Sequence, residues 1–371
     1  MIKYVFICFF FISINMVSAQ QSPRALGFDF GVMSPGSHNA ITDVNGVHIG
    51  HVTLIEGDNI RTGVTAIVPH TENIFQQKVP AAVYIGNGFG KLAGSTQIEE
   101  LGNLESPIIL TNTLSVAAGI EGVIDYTFSF PENGKVFSVN AVVGETNDAY
   151  LNDIRARKVK PTHVLEAIRN ATSGPVDQGN VGAGTGTICF GFKGGIGTSS
   201  RKLPESLGGY TVGVLVQSNF GGVLQIDGLP AGKLLEQYAF KNQLESADGS
   251  CMIVIATDAP LGERNLKRMA ERGMLGLART GGIASNGSGD YVLAFSTDPA
   301  SRIPHQSKPL TLSTTNHLRN DDMTALFLAA IEATEEAIIN SLFAAEEMTG
   351  RDGNTIKALP IHEIIKMKER N

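Results

Sequence analysis

The sequence predicts a layered α/β sandwich, and two observations lead there. Runs rich in Val, Ile, Phe and Thr alternate along the chain with stretches of helical periodicity. Several of those runs mix apolar with small residues and carry few charges, which suits sheets covered on both faces. Sheets that pack on each other and need helices outside them stack as layers. The chain is long enough for a large core at 371 residues, and 42% hydrophobic content with 18% charge excludes a disordered class. A net charge of −7 argues against nucleic acid as a partner.

Residues 1–19 read as a leader. Lys3 supplies a positive start, an apolar run covers Tyr4 to Ile14, and Val17-Ser18-Ala19 forms a small-residue cleavage site before Gln20. The run is too short to span a bilayer comfortably, and no later stretch is apolar enough. The expectation is an exported protein, periplasmic or secreted, with no stable membrane association. Its mature chain, residues 20–371, is expected to form a single catalytic domain. Removal of Cys8 leaves Cys189 and Cys251, expected as two separate buried thiols.

Strands are expected at Val47–Leu54, Thr62–Val68, Ala81–Ile85, Ile108–Asn112, Phe137–Glu145, Thr187–Phe192, Tyr210–Asn219, Cys251–Thr257 and Tyr291–Ser296. Helices are expected at Leu114–Phe128, at Pro161–Thr172 with Pro at its start, and at Leu261–Thr280. A further helix follows Asn320, with Asn320 as its cap and Gly350 as its stop. Phe327, Ile331, Ile338 and Leu342 mark its apolar face, and Glu332, Glu335, Glu336, Glu346 and Glu347 its solvated one. The polar stretch Glu236–Gly249 reads as an exposed loop.

The common catalytic signatures are missing: there is no H-E-x-x-H, G-x-S-x-G or G-x-x-x-x-G-K-[ST]. The eight His form no cluster with metal-ligand spacing. The Gly-rich run from Gly179 to Thr187 has the composition to cradle an anion with its N–H groups. It precedes a strand rather than a helix, so the plainer reading is a turn-rich loop that lets two chain segments approach closely.

Asp248-Gly249-Ser250 opens the apolar run Cys251-Met252-Ile253-Val254-Ile255. An N→O acyl shift at Gly249–Ser250 would break that bond and leave Ser250 as a new N-terminus. Gly suits the position before the bond because it does not crowd the attacked carbonyl. An α-amine titrates at about 7.7–8.0, so its neutral form is available as a base beside the hydroxyl. The plain alternative is a Ser that starts a strand after a turn.

The sequence resembles the self-cleaving serine aminopeptidases, peptidase family S58, which include L-aminopeptidase/D-esterases and β-peptidyl aminopeptidases. The residues that carry the resemblance span nearly the whole mature chain. They are Asn39-Ala40-Ile41-Thr42-Asp43-Val44, Arg61-Thr62-Gly63-Val64-Thr65, the run from Gly191 to Arg201, the run from Tyr210 to Gln217, Ala256-Thr257-Asp258-Ala259-Pro260-Leu261, and Met348-Thr349-Gly350-Arg351-Asp352-Gly353. The resemblance implies a four-layer αββα sandwich, like that of N-terminal nucleophile hydrolases but with different connectivity. It implies self-cleavage into residues 20–249 and 250–371, and a homotetramer of such αβ pairs. It implies neither metal nor organic cofactor.

Carried over by position, the nucleophile falls on Ser250, Ser288 orients it, and Asp290 is the carboxylate behind Ser288. Asp at 290 matches the L-aminopeptidase/D-esterase branch, whereas the β-peptide branch has Glu. Two residues apart on a strand, Ser288 and Asp290 face the same side. The match places the oxyanion donor on Asn219, whose amide can donate to a developing negative charge. Glu145 is the candidate for the substrate ammonium, with Asp148 as the neighbouring acid that could serve instead. Tyr150 is the candidate for a hydrogen bond to the intermediate. The function implied is hydrolysis of N-terminal residues from short peptides, amino-acid amides and esters. The alternatives are β-peptidyl specificity, or acyl transfer of the ornithine acetyltransferase type, whose nucleophile is Thr. A non-catalytic secreted binding protein is the rival of a different class.

Overall fold

A computed structural model describes residues 22–241, 249–305 and 316–370. The leader, residues 1–19, lies outside the described residues, as do residues 242–248 of the loop expected at Glu236–Gly249. In chain order the first strands are β1 (His48–Glu56), β2 (Ile60–Val68), β3 (Gln77–Gly88) and β4 (Leu92–Ala93). Helix α1 (Ser95–Leu101) leads to β5 (Asn103–Leu104), β6 (Ile108–Asn112), α2 (Val116–Phe128), β7 (Val142–Thr146) and α3 (Pro161–Arg169). The short β8 (Ile188–Cys189) and β9 (Phe192–Lys193) precede β10 (Gly195–Lys202), β11 (Thr211–Asn219) and the single turn α4 (Ala231–Leu234). After the proposed junction come β12 (Ser250–Thr257), α5 (Glu263–Arg279), β13 (Gly289–Ser296), β14 (Ile303–Pro304), α6 (Thr324–Phe343) and α7 (Ile361–Arg370).

The strands form two main sheets. One has the order β1-β2-β6-β7-β4; the other runs β10-β11-β12-β13-β3-β14, with β5 beside β3. Three apolar clusters set the layers. Ile67, Leu110 and Val142 of the first sheet meet Val83, Met252, Val254 and Leu293 of the second between the sheets. Val123 of α2 and Val164 and Ile168 of α3 cover the first sheet's outer face. Met269 and Leu277 of α5 and Ile338 and Leu342 of α6 cover that of the second. The result is the four-layer αββα sandwich. Residues of β12 are buried on both faces, which explains its unbroken apolar run.

The expected strands and helices recur with shifted ends, and three features depart further. Residues 137–141 belong to no strand, so β7 starts only at Val142. The segment Thr187–Phe192 is not one strand but a hairpin of β8 and β9. Strand β10 was not expected, because Gly-Ile-Gly-Thr-Ser-Ser-Arg-Lys has no apolar alternation. The side chains from Thr198 to Arg201 are buried and bonded: Thr198 Oγ1 donates to the Val214 carbonyl at 2.7 Å, and Ser199 Oγ to that of Ala333 at 2.6 Å.

The end and the solvated face of α6 also need correction. Asn320 does not cap it; Asn320 lies in a 3-10 turn, and its Oδ1 accepts from Arg264 Nη1 at 2.8 Å. The helix stops at Phe343, short of Gly350. Glu332 and Glu336, expected in solvent, are buried at 1% and 0% exposure. Both receive the fully buried Arg201, at 3.2 Å for Glu332 and 2.7 Å for Glu336. Arg24 completes the group, with its Nε 2.6 Å from Glu336 Oε1. A helical period assigns a face to solvent only if nothing else packs there, and here residues 24–39 and β10 do.

Cys189 and Cys251 are buried free thiols. Burial pushes the Cys189 thiol up to about 12 and that of Cys251 well above its ordinary value.

Candidate active site

One end of the sandwich brings together the C-terminal ends of β11, β3 and β7 and the first residues of β12 and β13. Across the second sheet, Asn219 pairs with Ser250, Ser250 with Gly289, and Gly289 with Gly88. These four residues therefore stand side by side in one row. A cavity of about 760 Å³ opens above it, lined by Ser250, Asn219, Glu145, Tyr150, Lys91 and Phe190 among others.

Ser250 begins its strand, and its Oγ accepts from the Gly289 N–H at 3.2 Å. A side chain on Gly249 would meet the Asn219 carbonyl oxygen at 2.3 Å and Phe220 Cα at 2.5 Å. Gly is thus required before the bond because the neighbouring strand end lies against it. Gly289 is constrained in the same way, since a Cβ there would sit 2.4 Å from the Phe89 carbonyl oxygen.

Ser288 Oγ donates to Asp290 Oδ1 at 2.8 Å, so the two residues do share a side. Ser250 and Ser288 are held by adjacent parts of one short stretch, through Gly289 N–H and Asp290 respectively. Asp290 is fully buried. Burial raises its carboxyl to about 6, against the lowering pull of the Ser288 hydroxyl and the Cys251 N–H. Its Oδ2 is buried without a hydrogen-bond partner among the described residues. The pairing of β13 with β3 shifts register between Asp290 and Tyr291, a bulge that turns Asp290 at the head of its strand.

Asn219 Oδ1 accepts from the Ile188 N–H at 2.9 Å. That bond fixes the amide plane and leaves its NH2 as the group available to the cavity. Glu145 is 3% exposed yet lines the cavity. Its Oε1 accepts from the Lys91 N–H at 3.1 Å, and its Oε2 from the Thr113 hydroxyl. Tyr150, half exposed, lines the cavity as well. Asp148 does not line it: Asn152 Nδ2 holds its Oδ1 at 3.0 Å, and burial lifts its carboxyl to about 6.

The Gly-rich run is the close-approach loop, not an anion cradle. A Cβ on Gly184 would lie 2.3 Å from Ile196 N, and one on Gly186 would lie 2.2 Å from the Arg61 carbonyl oxygen. Carbonyls of this region point inward at a cation, since the buried Lys193 Nζ donates to those of Gly184 and Gly194 at 3.0 and 2.7 Å. Burial pulls the Lys193 ammonium down to about 7.

Sequence reasoning missed Asn87, Lys91, Thr113 and the Gly289 N–H. Asn87 Nδ2 donates to the carbonyls of Ser285 and Asn286 at 3.0 and 3.2 Å, and to that of Ser288, which pins the turn before β13. In sequence Asn87-Gly88 is only a turn signal. Among the described residues no three His, Cys, Asp or Glu side chains gather as a metal site.

The sandwich and this pocket together belong to a hydrolase of the serine aminopeptidase class. The profile of peptidase family S58 matches residues 39–356. The chain belongs to that family. It is 42% identical to the β-peptidyl aminopeptidase BapA of Sphingosinicella microcystinivorans, over 94% of this chain and 92% of that protein. It superposes on a Burkholderia sp. β-aminopeptidase with a TM-score of 0.87 at 40% identity, covering 94% of this chain and 99% of that one. On the L-aminopeptidase D-Ala-esterase/amidase of Ochrobactrum anthropi the TM-score is 0.86 at 35% identity, covering 94% and 98%. The latter structure is described as a variant of the N-terminal nucleophile hydrolase fold.

Proposed function

We propose that this serine aminopeptidase is exported, forms a single domain that cleaves itself at Gly249–Ser250, and removes N-terminal residues from short peptides, amino-acid amides and esters. The observation that carries the reading is the row Asn219, Ser250, Gly289, of which Asn219 and Ser250 line a cavity that Glu145 also lines. In self-cleavage Ser250 Oγ attacks the Gly249 carbonyl carbon, the C–N bond breaks, and the nitrogen takes the hydroxyl proton. Water then hydrolyses the resulting ester, which frees the hydroxyl and leaves an α-amine on Ser250.

In turnover the same hydroxyl attacks the substrate carbonyl. Its proton passes to the α-amine of Ser250, or to Ser288 backed by Asp290. The Asn219 NH2 and a backbone N–H stabilise the oxyanion, a contribution of about 10²–10³ in kcat per donor. Tyr150 hydrogen-bonds the intermediate. The leaving amine departs protonated, and water releases the acyl group from Ser250. Glu145 receives the substrate ammonium, so selection is for a free N-terminus. The resemblance supports a homotetramer of cleaved pairs, which light scattering tests. β-Peptidyl specificity is the second reading, favoured by the name of the 42% identical relative. Paired α- and β-aminoacyl p-nitroanilides separate the two.

The test of the central reading is processing. Purified protein should give two bands, the smaller starting Ser-Cys-Met-Ile-Val. Ser250→Ala should give one band and no turnover. Splitting of that variant at the same bond removes Ser250 from the role of nucleophile.

A further inference from the structure

Among the described residues, Glu145 and Lys91 are the only charged side chains lining the cavity, and they face each other. Lys91 Nζ lies 3.5 Å from Glu145 Oε1. That is longer than the usual charge-assisted bond of about 2.7–2.9 Å. The other two donors to Glu145 are a backbone N–H and the hydroxyl of Thr113, which directly follows β6, the strand paired with β7. Lys91 Nζ instead ends a flexible four-carbon stem. The Lys91 side chain is 55% exposed, whereas that of Glu145 is 4% exposed. The cation therefore has water to move into, and the carboxylate does not.

We infer that Lys91 is a competitor built into the pocket: its ammonium neutralises Glu145 in the free protein and swings out when a primary ammonium enters. The inference rests on the reading of Glu145 as the ammonium site. Two ammonium groups on one carboxylate repel each other at close range, so the presence of Lys91 weakens the hold of Glu145 on a second ammonium. The backbone N–H of Lys91 stays on Oε1 throughout, which keeps the carboxylate aimed while its counterion exchanges. Lys91 thus sets how tightly a free N-terminus must bind to enter. Neutral or N-acylated compounds bring no ammonium to the carboxylate and do not compete with Lys91, so the side chain weakens free-amine binding alone and narrows the margin by which free amines are preferred.

The strength of a pair with one half-exposed partner limits the effect to about fivefold in an equilibrium constant. The test uses Lys91→Met, which keeps the backbone donor and alters a half-exposed side chain. The probes are alanine p-nitroanilide, its N-acetylated analogue, and n-propylammonium, an amine with no carbonyl to attack. For Lys91→Met, KM for the free amine and Ki for n-propylammonium should fall together, by up to about fivefold. The change should fall on KM more than on kcat, and KM for the N-acetylated analogue should not fall. Lys91→Arg, which keeps a cation, should stay nearer the parent. Unchanged or higher KM and Ki in Lys91→Met overturn the inference. Glu145→Gln separates failure of the underlying reading. If that variant impairs both substrates equally and n-propylammonium inhibits it as well as the parent, the ammonium binds elsewhere and the competition falls with it.

Discussion

Asp290 shows how position sets the chemistry of a single carboxyl group. It stands at the start of β13 in the second sheet, buried, with one oxygen on the Ser288 hydroxyl and the other without a partner among the described residues. Burial raises its titration to about 6. Ser288 needs the ionised form as acceptor, so kcat/KM should rise with pH through about 6. Asp290→Asn should remove that limb, leaving the limb of the Ser250 amine at higher pH; a limb that persists assigns it to another group. The sign for stability is opposite. A carboxyl raised in the folded state is protonated more readily there than in the unfolded chain. Its contribution is therefore lost as pH rises from the ordinary carboxylate range to about 6. The spacing of Ser288 and Asp290 was legible in the sequence, although Ser288 stands just before β13 and it is their hydrogen bond that shows them on one side. The raised titration was not, because it depends on the layers above and below.

Strand β10 is where the sequence pattern misleads. Alternation of apolar and polar residues marks a sheet with one wet face, but β10 has Arg201 and three hydroxyl residues buried. What compensates is helix α6, which comes so close that a Cβ on Gly197 would lie 1.9 Å from the Ala337 carbonyl oxygen. Gly197→Ala forces that contact apart and should cost about 1–3 kcal/mol, read as a lower urea midpoint. A midpoint equal to the parent's would mean that α6 shifts freely on the sheet. The same closeness explains why Gly-Ile-Gly-Thr-Ser-Ser-Arg looks like a loop in one dimension and serves as an edge strand in three.

Over the whole molecule, the proposed junction at Gly249–Ser250 falls between strands that pair with each other. β11 precedes it and β12 follows, joined from Val212–Thr257 to Asn219–Ser250. β13 likewise pairs with β3 from the earlier part of the chain. The buried ion group crosses the same divide, with Arg24 and Arg201 on one side and Glu332 and Glu336 on the other. Two pieces made by cleavage would remain one sandwich. Arg201→Met leaves buried carboxylates short of a partner and should destabilise the protein by about 3–5 kcal/mol. Urea denaturation checks this, and an effect below about 1 kcal/mol would match an exposed pair instead.

The sequence by itself determined the strands with continuous apolar runs, the amphipathic helices and the layered class, and the family resemblance singled out Ser250, Ser288, Asp290, Asn219 and Glu145 as candidates. Those features are local: a period of two or 3.6 residues, a turn before a hydroxyl, or a motif read in order. Only the tertiary structure decided that Glu332 and Glu336 are buried, that the Gly-rich run holds a lysine rather than an anion, and that Glu145 lines the cavity while Asp148 does not. It also supplied Lys91 and Asn87, which no spacing singled out. Burial, counterions and carbonyl partners come from segments distant in the chain, so their energies are fixed by packing and leave no periodic trace in the order of residues.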